Sequence, residues 1–235
     1  MADLEHTDPA DEPTIGPVPD PVIDAIMTTR AIRRFRPDPV AEADIAACLR
    51  AAQQAPSGGN VQPQQYVVIT DADRRAAIGE LYRRSFDRYE LALPAPPPFH
   101  DEAQADIYRR TRAASRHLAD HLGDVPVIVV FLQPRIEWGL RDEHVPLDIG
   151  RLDASVYPSV QNFCIAARAL GLGTALTTVV RIEGAALLEL LGVPADRFEV
   201  AALVPVGHPA GRFGVAPRKP AAAVTHWNTW GDKRR

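Results

Sequence analysis

Four arginines crowd one short stretch, Arg30-Ala-Ile-Arg33-Arg34-Phe-Arg36. A guanidinium presents a planar fork of donors that matches phosphate oxygens, so several on one loop can surround a terminal phosphate. The same string also suits a solvated basic loop. A second cluster, Ala55-Pro-Ser-Gly-Gly-Asn-Val-Gln-Pro63, sets two glycines among the hydrogen-bonding side chains of Ser57, Asn60 and Gln62. Glycine lets backbone amides approach a ligand closely, and those three side chains can both donate and accept. A flat heterocycle with carbonyl and imide edges needs that mixture, although a helix C-cap followed by a turn would use the same residues.

Other chemistries find little footing. Gly171-Leu-Gly-Thr-Ala-Leu176 begins like a dinucleotide fingerprint, but Leu176 stands where the last glycine belongs and the string precedes a strand instead of opening a helix. His117 and His121 have the i, i+4 spacing of a metal pair, yet the glutamate that follows the first histidine of a zinc protease motif is absent, so no metal is expected. No serine or cysteine sits in a nucleophile elbow. Cys48 and Cys164 lie far apart in amphipathic segments and read as packing residues.

Charge narrows the partners further. Of 30 acidic residues, six fall within positions 1–20, which hold no Lys or Arg, and the rest of the chain carries 26 basic against 24 acidic residues. A near-neutral body with scattered Arg pairs offers a polyanion no stripe, so nucleic acid is not an expected partner. No apolar run approaches the roughly 18 residues of a membrane span, and the N-terminus lacks the order of a signal peptide. The cytoplasm is the expected location.

The elements that must position these residues follow from periodicity. Residues 1–20, acidic and proline-rich, cannot offset their ordering entropy and read as a disordered tail, leaving 21–235 as a single domain. Helices are expected at Pro21–Thr29, Ala41–Ala55, Asp73–Tyr89, Asp101–His121, Asp148–Leu170, the longest, and Glu183–Leu191. Strands are expected at Tyr66–Thr70, Val125–Leu132, Leu176–Val180 and Glu199–Val206. The polar helical excursion over about 80–122, broken by Pro94–Pro98, resembles a lid, and residues 218–235 form an extended arm. Strands alternating with helices, without a repeat of 20 to 50 residues, point to one α/β or α+β sandwich with helices on its sheet.

The arginine loop and the Ala55–Pro63 string, in that order and spacing, resemble the N-terminal signature of the FMN-dependent nitroreductase family. Two further matches follow, one from Gln161-Asn162 through Ala169-Leu-Gly-Leu-Gly-Thr174 to Thr177-Thr178, the other at Val204-Pro-Val-Gly-His-Pro209 followed by Arg218-Lys-Pro220. The resemblance covers roughly residues 22–230. It implies an α+β fold, a mostly antiparallel central sheet flanked by helices, with the C-terminal arm exchanged in a homodimer whose sites draw on both subunits.

It also implies FMN as cofactor, NAD(P)H as electron donor and a small organic acceptor such as a nitroaromatic or quinone, reached by a ping-pong mechanism. Arg30 and Arg33 would contact the FMN phosphate or the polar edge of the flavin, with Ala31 contributing backbone. Ser57 and Gly58 would lie along the flavin and its ribityl chain, near Asn60 and Gln62, with Gly59 beside the substrate. Thr177-Thr178 is similar to a hydroxyl-bearing pair in the iodotyrosine deiodinase-like subgroup, which makes Thr178 the candidate catalytic donor near the flavin N5. Arg218 would close on the phosphate. Thr29-Arg30-Ala31 replaces the family's frequent two arginines and a serine, and Gln64 replaces a frequent tryptophan, which shifts weight onto Arg218 and alters the pocket. A reductive dehalogenase, a flavin-fragmenting or oxygen-dependent enzyme, and a non-catalytic flavin-binding protein are alternatives on the same scaffold. Trp227 and Trp230 are expected to bury against the partner subunit.

Overall fold

The computed structural model describes residues 20–96, 98–136, 143 and 150–233. Four strands make one sheet in the order β1-β2-β4-β3: β1 Gln65–Ile69, β2 Val127–Pro134, β4 Phe198–Gly207 and the two-residue β3 Gly173–Thr174. Every pairing is antiparallel, with Gln65 opposite Leu132, Val127 opposite Val206 and Gly173 opposite Gly207. The expected α+β sandwich is therefore present.

β2 shows why the sheet sits in the middle. Side chains alternate across a strand, and Ile128, Val130 and Leu132 enter one apolar cluster while Val127, Val129 and Phe131 enter the other. A strand buried on both faces needs an apolar residue at every position, which the run Val127–Leu132 supplies. On the first face lie helices α3 (Ala72–Ala92), α4 (Glu102–His121) and α6 (Gly184–Leu190), through Ile78, Tyr82, Phe86, Leu118 and Leu187. On the second lie α2 (Glu42–Gln53) and α5 (Asp153–Ala169), through Ile45, Cys48, Val160, Phe163 and Cys164. Both cysteines are buried packing residues, as expected.

α1 (Pro21–Thr28) begins with an Asp20 cap, whose carboxylate accepts from the Val22 N–H at 2.8 Å. Asp20, read from sequence as part of the tail, thus belongs to the folded unit; residues 1–19 lie outside the described residues. α3 and α4, the excursion between β1 and β2, pack their apolar stripes into the core, and a polar seam joins them: Arg116 reaches Asp87 at 2.6 Å and Glu90 at 3.3 Å, and Arg112 reaches Glu90 at 2.8 Å. α7 (Ala221–Val224) is a single turn in the C-terminal arm.

Two expected elements are corrected. Leu176–Val180 is not a strand: Thr177 alone pairs with Leu203, by two 2.9 Å backbone bonds, and Val179–Glu183 then forms a 3₁₀ helix. The Thr177 hydroxyl accepts from the Val179 N–H at 3.3 Å, a local alternative to ladder pairing, and the β-branched Val180 satisfies its burial in the core instead of in the sheet. The helix expected from Asp148 starts at Asp153, with residues 144–149 outside the described set, and its 17 residues are fewer than the 21 of α3.

Candidate functional site

The arginine loop between α1 and α2 is stitched to the sheet at both ends. Ile32 N–H donates to the Thr174 carbonyl at 2.8 Å, pairing Ala31 with Thr174, and Arg36 N–H donates to the His208 carbonyl at 2.8 Å, while Ala210 N–H donates to the Arg34 carbonyl at 3.0 Å. The loop therefore serves as an irregular extra edge beside β3 and the end of β4. Close approach requires glycine at position 173, because a Cβ there would lie 2.8 Å from Ile32 Cγ2.

Within this loop Arg30 is exposed and Arg33 is half-buried, lining a cavity of about 450 Å³ between α3, α4 and the Ala175–Val179 segment. Burial lowers the Arg33 pKa, the Tyr82 phenol opposes that effect and the Arg30 charge adds to it. Arg34 turns elsewhere, its Nη1 lying 3.1 Å from His117 Nδ1 on α4. His117 is thus a half-buried anchor for the loop as well as part of a helix surface, and its ring lies 4.4 Å from that of His121. Among the described residues no group of three or more His, Cys, Asp or Glu could hold a metal ion.

Thr177 and Thr178 sit beside the loop because β3 leads directly into them. The Thr177 hydroxyl lies 3.2 Å from the Tyr82 hydroxyl, both residues lining the cavity, and Thr178 is exposed. Burial raises the Tyr82 pKa and the bond to Thr177 partly offsets it, so the phenol is protonated at neutral pH. Arg33 and Thr177 thus line one cavity, and Ala31 pairs with Thr174 at the β3 edge.

The second cluster forms a separate structure against α2 and α5. Gly58–Asn60 is a 3₁₀ turn in which Gly59 and Asn60 both have φ of 56°. The Gly58 N–H donates to Ser155 Oγ at 3.1 Å and the Gln62 N–H to Ser57 Oγ at 3.0 Å. Gln62 donates to Asn60 Oδ1 at 3.1 Å and accepts from Gln53 Nε2 at 3.1 Å. Asn60 and Gln62 therefore bond each other and brace the loop, while Gly58 and Gly59 present exposed backbone. Gln64, buried where the resembled family often has tryptophan, donates to Gln53 Oε1 at 3.3 Å and leaves its own Oε1 unpartnered.

None of these residues lines the cavity. Arg218 is a third, separate group in the single chain: it is exposed and donates to the Pro217 carbonyl at 3.0 Å. Trp227 and Trp230 are 45% and 90% exposed, with Trp230 stacked on His226 at 4.0 Å.

Sequence reasoning missed Tyr82, Ser155 and the Arg34–His117 contact. A signal for the first was present, since Tyr82, Phe86 and Tyr89 recur at the i, i+4, i+7 spacing of one helix face. The other two are contacts across long sequence separations with no local trace.

Fold and site define a class: a helix-covered antiparallel α+β sandwich that carries an arginine-rich loop and a pair of hydroxyls on one sheet edge. The sequence profile of the Nitroreductase family matches residues 26–208, and the chain belongs to that family. It is 29% identical over 214 residues to the FMN reductase (NAD(P)H) of Bacillus subtilis, covering 89% of this chain and 74% of that one. It is 31% identical over 187 residues to the 5,6-dimethylbenzimidazole synthase of Rhodospirillum rubrum, covering 77% and 81%. The fold matches that of an oxidized iodotyrosine deiodinase bound to FMN and 3-iodo-L-tyrosine, with a TM-score of 0.69 at 19% identity over 89% of this chain and all of the other.

Proposed function

We infer that this chain is an FMN-dependent oxidoreductase that draws electrons from NAD(P)H and delivers them to a small organic acceptor, a nitroaromatic, a quinone or a molecule of that kind. Family membership and the kinship to an FMN reductase support the cofactor and the donor. The observation that carries the reading is Arg33, a half-buried guanidinium at a cavity wall with no carboxylate paired to it among the described residues. Buried charge is retained at a cost unless something compensates it, and an anionic cofactor edge would. Arg30 and Arg218 likewise have no carboxylate partner among the described residues, whereas Arg36, Arg83, Arg109 and Arg116 all do.

The donor set fits FMN. Exposed Arg30 and Arg218 would hold the phosphate, Arg33 the polar edge of the ring, and the Ala31 backbone would flank it. Ser57 and Gly58 would lie along the ribityl chain and ring, with Gly59 beside the substrate and Asn60 and Gln62 fixing the loop. FMN, when bound, supplies the redox chemistry, taking hydride from a nicotinamide and passing electrons on. Thr178 offers an exposed hydroxyl as a hydrogen-bond donor beside the cofactor. Thr177 holds the Tyr82 hydroxyl on the cavity wall, and the Arg33 charge favours electron-rich groups there. One cavity serving donor and acceptor in turn gives a ping-pong order.

The three clusters lie apart in one chain, which supports a homodimer whose sites draw on both subunits. α1 leaves Val22, Ile23, Ile26 and Met27 more than 40% exposed, a continuous apolar face for that contact. The C-terminal arm, with Trp227 and Trp230, would be exchanged in it. No described helix is long and apolar enough to cross a membrane, and the cytoplasm is the proposed site of action.

The test is initial-rate kinetics on the FMN-loaded protein with NAD(P)H and a quinone varied together. Parallel double-reciprocal lines are expected. Intersecting lines would replace the ping-pong order with a ternary complex, and no turnover would remove the enzyme assignment.

A further inference from the structure

The turn at Gly58–Asn60 is held by a chain of side-chain amides that runs in one direction. Gln64 Nε2 donates to Gln53 Oε1 at 3.3 Å, Gln53 Nε2 donates to Gln62 Oε1 at 3.1 Å, and Gln62 Nε2 donates to Asn60 Oδ1 at 3.1 Å. The Tyr66 hydroxyl gives Gln53 Oε1 a second donor at 3.1 Å. Burial raises the Tyr66 pKa, with the Ser159 and Gln64 side chains opposing it, so the phenol keeps its proton to donate at neutral pH. An amide side chain has one accepting and one donating end, so the orientation of the first amide dictates every later one.

Gln64 sets that orientation. It is 3% exposed, and its Oε1 is buried without a partner. Reversing the whole chain would put the Gln64 NH2 where that oxygen now lies, and an orphaned buried N–H is rarer than an under-satisfied carbonyl. At the other end Asn60 and Gln62 hold φ of 56° and 45°, a region that residues with a Cβ seldom adopt, so the bonds also secure the backbone of the turn. With its Oδ1 engaged, the exposed Asn60 turns its Nδ2 away from Gln62 as a donor. Ser57 Oγ accepts from the Gln62 N–H at 3.0 Å, which leaves the hydroxyl proton free to be donated.

We propose that Gln64 and Gln53 are positioning residues that polarise this turn, so that Asn60 and Ser57 meet a ligand as hydrogen-bond donors. The turn then takes an edge that bears acceptors, carbonyl or hydroxyl oxygens. That this edge belongs to FMN rests on the function proposed above, whereas the polarity of the relay does not.

Fluorescence titration with FMN of the parent, Gln64→Met, Asn60→Gly and the double variant forms a cycle. Glycine keeps the positive φ at position 60 and removes only the amide. Each single change should weaken FMN binding about threefold to tenfold, the effect of one neutral hydrogen bond. The double variant should bind no more weakly than the poorer single variant, because both changes remove the same donor. Gln64→Met also deletes a buried unpartnered oxygen, so its thermal midpoint should hold or rise while affinity falls, whereas loss of a merely structural residue would lower both. Gln53 is exposed, so Gln53→Met cuts the relay without touching the core, should weaken FMN binding alike, and decides the matter if Gln64→Met does not fold. Side-chain amide NMR of the full chain, recorded with and without FMN, follows the relay itself: both glutamine variants should shift the Asn60 resonances, identified by their loss in Asn60→Gly. Losses that multiply in the double variant, parent-like affinity in both glutamine variants, or Asn60 resonances that do not move would overturn the proposal. A chain that takes up no FMN while those resonances still move would defeat the proposed function and leave the relay standing.

Discussion

Ile32 donates its backbone N–H to the Thr174 carbonyl at 2.8 Å, and the position beside that carbonyl is Gly173, where a Cβ would lie 2.8 Å from Ile32 Cγ2. This contact brings the arginine loop onto the sheet and fixes where Arg30 and Arg33 begin. Gly173→Val should therefore push the loop off β3, at a cost of about 1–3 kcal/mol for overpacking. Thermal unfolding would show a lowered midpoint and fluorescence titration a weakened FMN affinity. A variant as stable as the parent, with unchanged affinity, would mean that the loop is positioned by other contacts.

The Arg34–His117 contact makes the loop sensitive to pH. Burial of His117, and then the Arg34 and His121 charges, hold its pKa below the ordinary value of 6.5, with Asp120 opposing them. A folded-state pKa depressed below the unfolded one means that the unfolded chain binds the extra proton as the medium acidifies. The contribution is present above about pH 6.5 and is lost as pH falls through the lower folded value. Denaturant unfolding between pH 7.5 and 5 should show a decline in stability that is shallower in His117→Gln. Equal slopes in the two proteins would exclude His117 as the source.

Cys48 and Cys164 should behave as inert core groups. Burial is the main reason that the Cys48 thiol is pushed up to about 12, and it raises Cys164 as well. Neither forms appreciable thiolate at pH 8. A thiol reagent at that pH should label the native protein only at its unfolding rate and both cysteines at once in denaturant. Rapid labelling of one cysteine in the native state would show that its side of the core opens locally.

The proposed cofactor contacts separate by variant. Arg33→Ala and Arg218→Ala should each weaken FMN binding by about tenfold or more, since a hydrogen bond to a charged group contributes ~1.5–3 kcal/mol. Thr178→Ala should retain FMN and shift its midpoint potential, because a neutral donor contributes only ~0.5–1.5 kcal/mol to affinity. Fluorescence titration and anaerobic potentiometry give the two readouts. Parent-like affinity in both arginine variants would sink the residue assignment without touching the family.

Periodicity and composition make most of the fold legible in the sequence. β2 reads as an unbroken apolar run because both its faces are covered, and α3 and α4 read as helices because their stripes repeat. β3 was invisible at two residues, and Leu176–Val180 misled because β-branched residues suit a buried 3₁₀ turn as well as a strand when tertiary contacts decide. The site was legible as motifs but not as geometry. Arg33 and Thr177 come within one cavity only because β3 and the loop pair across more than 140 residues, and Tyr82 enters it from a helix whose aromatic stripe looked like ordinary core. Asn60 and Gln62 carry hydrogen-bonding side chains, and in the single chain Gln62 bonds Asn60 and Gln53.

The central claim is that this chain carries FMN and that a reduced nicotinamide reduces it. Anaerobic stepwise titration of the FMN-loaded protein with NADH and, separately, NADPH tests it most directly, following the visible absorbance of oxidized flavin. The account predicts that at least one of the two bleaches that absorbance in proportion to the nicotinamide added, and that a quinone restores it. Protein that holds no FMN after reconstitution, or FMN that stays oxidized against an excess of both nicotinamides, would contradict it.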